Sequence, residues 1–425
     1  MEVDTKIIER YNIPGPRYTS YPPANVFQDG FTEEDYLNEI QRSNNEGSKG
    51  ISLYVHVPFC PRLCFFCGCN SQAANDQAFI SMYFEAVLDE IDRIASLIDK
   101  NRPVTQVHWG GGTPNSVDWN HVEKVMDRFH THFNFLEDAE IAMECSPAYL
   151  DIPDIDRIAK MGFNRLSLGI QDFNNEVLKI INRNPSKLPV EKLVEYIRTK
   201  DFEGINLDFI YGLPGQTLER YLDSLKRAVS IRPERLVTFS YAHVPWIKKN
   251  QKLLEKQGIP GPHQKMEMLL KGFEYMKNSG YKPIGMDHFA LPEDEMAKAY
   301  RSNTLHRNFQ GYCTLKHTGQ VYAFGASSIS QLHGSYSQNV KEAQAYVKII
   351  KEGKLPVTRG YRLNDDEKII RRIINQLMCN GMVDFNTEAE QLGINASDLK
   401  EKIGYDPGKF DDLKRDGLMD ANGHS

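Results

Sequence analysis

From residue 51 to residue 279, short β-rich apolar runs alternate with amphipathic helical stretches. That rhythm restricts the chain to α/β folds built on a parallel sheet, because it is the signature of successive βαβ units. Strands are predicted over Ile51–Val57, Thr105–Trp109, Glu140–Glu144, Arg165–Gln171, Asn206–Tyr211 and Leu236–His243. Helices are predicted over Phe79–Leu97, Val117–Phe133, Pro153–Met161, Val190–Lys200, Leu218–Ile231 and Gln264–Ser279. Six such units fit an open or partial (β/α)6 TIM-like barrel, with a doubly wound sheet as the alternative. In both, ligands gather beyond the carboxyl ends of the strands. The predicted strands end in suitable groups: Gly110-Gly111-Gly112-Thr113-Pro114, Glu144, Gln171, and Asp208 ahead of Tyr211-Gly212-Leu213-Pro214. Any one of these reads equally well as a strand boundary, but their agreement marks a site.

The flanks differ. Residues 1–50 are polar and turn-rich (Pro14-Gly15-Pro16, Tyr21-Pro22-Pro23), and are expected to be an extension covering the active site. The barrel is assigned to 51–290, and 291–360 to a barrel extension with substrate-side elements. Residues 285–335 are mixed and Gly/Ser/His-rich. A mainly helical, winged-helix-like domain is expected over 361–425, with helices at 364–379 and 397–416. The acidic start Asp365-Asp366-Glu367 suits the dipole of the first. A short strand at Leu418–Asp420 followed by Asn422-Gly423 reads as the start of a hairpin with no return strand, so that domain is expected to be incomplete.

Composition narrows the function classes. Of 425 residues 40% are hydrophobic, which excludes a disordered or fibrous chain. With 51 basic against 57 acidic residues the net charge is −6, and no nucleic-acid footprint stands out. No run approaches the ~18 apolar residues of a membrane helix, and Met1-Glu2-Val3-Asp4-Thr5-Lys6 is no signal peptide. The expectation is a cytoplasmic protein with no membrane insertion and no nucleic-acid partner.

The cysteines are the outlier. Four of seven fall within ten residues: Cys60, Cys64, Cys67 and Cys69; Cys145, Cys313 and Cys379 are scattered. Clustered cysteines without an export signal point to metal binding or redox chemistry. A structural zinc site usually draws on two separated pairs, whereas here three thiols sit in one tight loop after the first strand. A [4Fe–4S] cluster suits that loop better, since each thiolate need reach only one iron. Three ligands leave one iron open to reactivity. Zinc and unliganded redox thiols are the alternatives.

The triplet Cys60-x3-Cys64-x2-Cys67, the aromatic Phe66 before its last cysteine, and Gly110-Gly111-Gly112-Thr113-Pro114 after the second strand resemble the radical S-adenosylmethionine (SAM) superfamily. Within it the chain is similar to the oxygen-independent coproporphyrinogen III oxidases. That likeness is carried by Tyr11–Pro22, by Leu53–Cys60 on to Cys69-Asn70, and by Asn164–Ser167, Gly285–Phe289 and Leu305–Tyr312. The resemblance implies Cys60, Cys64 and Cys67 as cluster ligands, Cys69 as a non-ligand, and two bound SAM molecules. It puts Tyr54, Gly111, Glu144 and Ile329 at the cluster-bound SAM. Phe66, Gly112, Thr113, Gln171, Arg183, Asp208 and Ala242 fall at the second.

The implied reaction is oxidative decarboxylation of two propionates of coproporphyrinogen III to vinyl groups. It would draw on an electron donor such as flavodoxin or ferredoxin, in a monomeric enzyme. Arg17, His306 and Arg307 are candidate propionate contacts, and Tyr18, Tyr21 and Tyr312 candidate tetrapyrrole walls. Rival readings are a haem ring-opening radical SAM methyltransferase and a haem chaperone. Anaerobically purified protein is expected to be brown and to hold about four irons per chain; stoichiometric zinc by elemental analysis would overturn the cluster.

Overall fold

The computed structural model describes residues 5–11, 13 and 20–420. Six strands lie side by side, all parallel and in chain order: β1 (Ile51–Val57), β2 (Val104–Gly111), β3 (Phe135–Cys145), β4 (Arg165–Gln171), β5 (Gly204–Tyr211) and β6 (Arg235–Ser240). The order never reverses, so there is no topological switch point, and the open barrel prevails over the doubly wound sheet. The helices Gln77–Ala95, Trp119–His132, Ile152–Lys160, Val190–Ile197 and Leu218–Ile231 are the crossovers, and Pro262–Asn278 follows β6. β1 and β4 have the predicted bounds; β3 begins earlier, at Phe135.

The sheet continues at both edges. β8 (His288–Ala290) pairs antiparallel with β6, and β7 (Lys282–Ile284) pairs antiparallel with β8 at the edge. On the far side β9 (Gln320–Phe324) pairs parallel with β1, followed by antiparallel β10 (Ile329–Gln331), β11 (Ser335–Asn339) and β12 (Val357–Arg362). Part of this lies in the stretch whose sequence reads as mixed. The reason is physical: β11 is Ser-Tyr-Ser-Gln-Asn and wholly buried, so no apolar run announces it. Its polar groups are satisfied internally. Asn339 donates to Glu90 Oε1 (2.7 Å), while Glu90 Oε2 accepts from the Gly325 amide (2.9 Å) and Tyr346 (2.6 Å). Burial pushes the Glu90 carboxyl up to about 7.

Along β1 to β5 side chains alternate with period two. Leu53, Val55, Val107, Trp109, Ile141, Met143, Leu166, Leu168, Leu207 and Phe209 belong to the main core, packed with the helices. The opposite parity is polar: Ser52, Tyr54, His56, Gln106, His108, Glu140, Glu144, Arg165, Ser167, Asn206 and Asp208 point into the barrel. At its floor Glu140 accepts from Gln106 (2.8 Å) and pairs with Arg165 (2.9 Å), while Arg235 pairs with Asp294 (2.9 Å). Asn308 donates to Gln106 (3.2 Å), which docks the segment after β8 into the barrel.

Beyond residue 362 the expected helix is present as Asp365–Asn380, capped by Asn364 and ended by Gly381 in the left-handed region. The second is not one helix but Ala396–Lys402, a 3-10 turn Pro407–Phe410 and Asp411–Arg415. Gly404 and Pro407 break it. Leu418–Asp420 is no strand, so the described residues carry no wing; Asn422-Gly423 lie outside them. The N-terminal helix Thr5–Tyr11 bonds to this region through Arg10 and Tyr11 to Asp416 (3.0 and 2.7 Å). Among the described residues no helix is long and apolar enough to cross a membrane.

Burial alone would raise the Glu140 carboxyl, but Arg165 and Arg235 bring it down to about 2. Its contribution to stability is therefore complete above its unfolded pKa of about 4.5 and is lost as pH falls towards 2. Arg165→Ala, which strands Glu140, is expected to cost about 3–5 kcal/mol of unfolding free energy and to flatten that acid dependence in denaturant titrations between pH 5 and 3.

Candidate active site

The cysteine loop leaves β1 at the carboxyl end of the barrel and is gripped from several elements. The Phe65 amide donates to Ile181 O (3.0 Å), Asn182 to Leu63 O (2.8 Å), Gln251 to Phe66 O (2.9 Å) and Lys248 to Cys69 O (2.8 Å). His56, on β1, bonds Asn70 O (2.9 Å). A loop closed over ten residues is thus fixed by chain more than a hundred residues away.

Each of the three sulfurs in the triplet receives a donor. Thr113 Oγ1 lies 3.4 Å from Cys60 Sγ, Arg183 Nη1 3.6 Å from Cys64 Sγ, and the Cys69 amide 3.4 Å from Cys67 Sγ. Burial pushes the Cys60 and Cys64 thiols up, while the hydrogen bond from Cys69 brings Cys67 down. Donors aimed at sulfur suit thiolates, the form that binds iron. Backbone must also pass close by. A Cβ on Gly112 would stand 2.7 Å from Phe59 O and 3.0 Å from Cys60 Sγ. Gly111 has φ +110°, and a Cβ there would meet the His56 ring at 2.5 Å. The cradle fits a thiolate-held cluster. Among the described residues no three His, Cys, Asp or Glu side chains converge as ligands of a single ion.

One cleft of about 880 Å³ is lined by Cys60, Cys64, Cys67, Phe66, Gly111, Gly112, Thr113, Glu144, Gln171, Arg183 and Asp208. These eleven expected residues come from six different stretches of chain. Glu144 accepts from the Gly111 amide (3.3 Å) and bonds His108 Nε2 (3.1 Å). Burial would raise its carboxyl, but the His108 contacts outweigh it and hold the group below its usual value. Asp208 goes the other way, raised by burial despite hydrogen bonds from Ser167 (2.8 Å) and Asn206 (2.7 Å). The cleft therefore holds two carboxyls that their surroundings shift in opposite directions. Arg183 also donates to Gly169 O, and Gln171 turns out of β4 with φ +68°.

Three expected SAM contacts do not line this cleft. Tyr54 stands behind it, bonded to His56 Nδ1 (3.1 Å) and stacked on His108 with ring centroids 5.9 Å apart. Ala242 is exposed and reaches the site only through Gln251, which bonds both Ala242 O (3.1 Å) and Phe66 O. Ile329, on β10, packs in a separate apolar cluster with Phe27, Tyr336 and Leu363.

Of the expected substrate contacts, Arg17 and Tyr18 lie outside the described residues. His306 is no cation: burial first, then Arg371 and Arg372, bring its pKa down to about 4. Tyr312 is buried, edge-on to His288. Arg307 and Tyr21 share a second cavity. Sequence reading missed His56 and His108, although their inward parity beside Tyr54 was visible.

The radical SAM superfamily model matches residues 54–228. Over 419 residues the chain is 39% identical to oxygen-independent coproporphyrinogen III oxidase of Escherichia coli K12, covering 99% of this chain and 90% of that one. The chain belongs to the oxygen-independent coproporphyrinogen III oxidase family. Another member, from Synechocystis, is 36% identical over 424 residues, again covering 99% and 90%. The solved structure of the Escherichia coli enzyme, described as a radical SAM enzyme, matches all of this chain and 94% of its own with a TM-score of 0.91 at 36% identity. Membership in this radical SAM family implies a [4Fe–4S] cluster and SAM.

Gly112→Ala is expected to lower iron bound per chain at least twofold and to lower the melting temperature, because its Cβ would stand 2.7 Å from Phe59 O and 2.8 Å from Val57 O, backbone that leads into Cys60. Full iron content by elemental analysis would show that the close approach is dispensable.

Proposed function

We propose that the protein converts coproporphyrinogen III to protoporphyrinogen IX without oxygen. The observation that carries this reading is the meeting of Cys60, Cys64 and Cys67 with Glu144, Asp208 and Arg183 in one cleft at the carboxyl ends of the strands, in a chain related over nearly its full length to enzymes of that name. Each of two propionates (–CH2–CH2–COO⁻) gives up one hydrogen atom, carbon dioxide and one electron, and becomes a vinyl group.

Cys60, Cys64 and Cys67 would hold the cluster, leaving one iron for the amino and carboxylate groups of SAM. When bound, cluster and SAM supply a 5′-deoxyadenosyl radical able to take that hydrogen atom. The residues do the rest by binding and orienting. Glu144, bonded to His108, would accept a hydrogen bond from the amino group of SAM, and Tyr54 buttresses His108 from behind. Gly111 and Gly112 let backbone approach closely. A second SAM would lie against Phe66, Thr113, Gln171, Arg183 and Asp208, with Arg183 suited to its carboxylate and Asp208 to ribose hydroxyls. Ala242 and Ile329 are outside this cleft and take no part in the proposal.

The electron donor is an acidic one-electron carrier such as flavodoxin or ferredoxin. Beside the cysteine loop, Trp246 and Ile247 are exposed next to Lys248 and Lys249, a surface of matching character. We take the enzyme as a cytoplasmic monomer.

The decisive assay is anaerobic: reconstituted protein, SAM, reductant and coproporphyrinogen III. Vinyl product appearing with 5′-deoxyadenosine is the expected result. A methylated, ring-opened product from haem, or haem binding without turnover, would overturn the reading.

A further inference from the structure

The segment after β6 carries a surface that the cleft does not use. Residues 244–253 form a compact loop beside the cysteines. The Ile247 and Lys248 amides donate to Val244 O (2.9 and 3.0 Å), and the Gln251 amide donates to Lys248 O (3.0 Å). Gln251, only 1% exposed, is the hub. Its Oε1 accepts from the Val244 amide (2.6 Å), and its Nε2 donates to Phe66 O (2.9 Å) and Ala242 O (3.1 Å). One buried side chain thus ties this loop to the cysteine loop. Lys248 makes the second tie. Its ammonium donates to Cys69 O (2.8 Å), and the Cys69 amide donates to Cys67 Sγ (3.4 Å). Gly68 and Cys69 are exposed residues, so here the cysteine loop reaches the molecular surface.

What this segment shows to solvent is apolar and cationic. Trp246, Ile247 and Leu253 are 75%, 68% and 56% exposed, three of the four most exposed large hydrophobic side chains among the described residues. Apolar groups shown to water in this way mark contact surfaces, and Trp is enriched where the energy of a contact is concentrated. Between residues 241 and 260 stand Lys248, Lys249, Lys252 and Lys256 against a single acid, Glu255, in a chain whose net charge is −6. Glu255 faces His243 Nε2 (3.5 Å), and among the described residues no carboxylate pairs with any of the four lysines.

Position decides what such a surface receives. Each SAM cleaved needs one electron at the cluster, and here exposed backbone lies next to a ligand sulfur, flanked by apolar and cationic side chains. A second copy of the chain suits the surface poorly, because a two-fold contact sets lysines against lysines. The same lysines attract an acidic partner and speed its encounter. We propose that residues 244–253, with the exposed edge Gly68-Cys69, dock an acidic one-electron carrier protein, which rests on the radical SAM reading of the cysteine loop above. Trp246 and Ile247 form the apolar centre, and Lys249 and Lys252 the charged rim. The reduced flavin or iron–sulfur group of the carrier loses one electron, the cluster gains it, and no bond forms between the proteins. Redox encounters are small and weak, so charge governs their rate.

The test follows cluster reduction by loss of its visible absorbance in stopped flow. Cluster-loaded protein is mixed with reduced flavodoxin, with reduced ferredoxin, or with dithionite as a small-molecule reductant. Trp246→Ala and the double variant Lys249→Glu/Lys252→Glu are each expected to slow reduction by a carrier about tenfold or more at low ionic strength. Carrier binding in titration calorimetry should weaken to the same degree. Iron content and the dithionite rate stay within twofold of wild type, because Lys248 and Gln251 still tie the segment to the cysteine loop. Raising salt from about 0.02 to about 0.3 M slows wild type and leaves the charge-reversed variant little changed. The proposal is overturned if neither carrier reduces wild type, if both variants are reduced within twofold of wild type, or if the dithionite rate falls by the same factor as the carrier rate. Unaffected carrier reduction with self-association in sedimentation, or binding to phosphatidylglycerol vesicles, lost in the variants would assign the surface to a second copy or to lipid. The substrate assignment is read separately. If dithionite-driven wild type forms no vinyl product from coproporphyrinogen III, that assignment fails and the docking result stands; vinyl product with unchanged carrier rates sinks the docking surface alone.

Discussion

A barrel lined by charged side chains stands only if those charges compensate one another, and here Glu140, Arg165, Arg235 and Asp294 do so across its floor. Glu140, Arg165 and Arg235 come from β3, β4 and β6 and Asp294 from the segment after β8, so the network forms only when these elements are in register. An isolated carboxylate in that position would cost several kcal/mol. The floor thus couples the closing segment to the strands, and through Asn308 and Gln106 reaches the second cavity. Registering the floor also registers the rim, because β3 and β4, which supply Glu140 and Arg165, end at the cleft in Glu144 and Gln171.

At the rim the polar groups are used differently. Glu144 and Asp208 sit at the ends of β3 and β5, yet their environments drive their carboxyls in opposite directions. Divergent acids in one cleft are the mark of a site rather than of a structural ion-pair network. The cysteine loop depends on the same rim. Its backbone is held by side chains and carbonyls following β4 and β6, and its sulfurs by Thr113 and Arg183.

Much of this was legible in the residues. The six parallel strands followed from alternating periodicity, because each crossover helix is long enough to show its 3.6-residue repeat. The cysteine loop beyond β1 and the glycine run at the end of β2 followed from their places after predicted strands. The polar edge formed by β10 and β11 was not legible, since short buried strands rich in Ser, Gln and Asn are satisfied by partners such as Glu90 that sequence does not announce. His306 illustrates a second limit. Its residue type suggests a cation, but burial and two neighbouring arginines make it neutral. Ile329 and Ala242 illustrate a third: where they stand relative to the cleft depends on the packing of distant segments.

By itself the sequence determined the parallel α/β architecture, the thiolate triplet and the residue types waiting at the strand ends, because periodicity and spacing are local properties of the chain. Tertiary structure alone decided which of those residues share a cleft, in which direction each acid is shifted, and that Arg371 from the C-terminal helix meets Arg307 in one cavity. Those outcomes depend on distances between segments far apart in the chain and on the dielectric around each charge, and neither is written in local order.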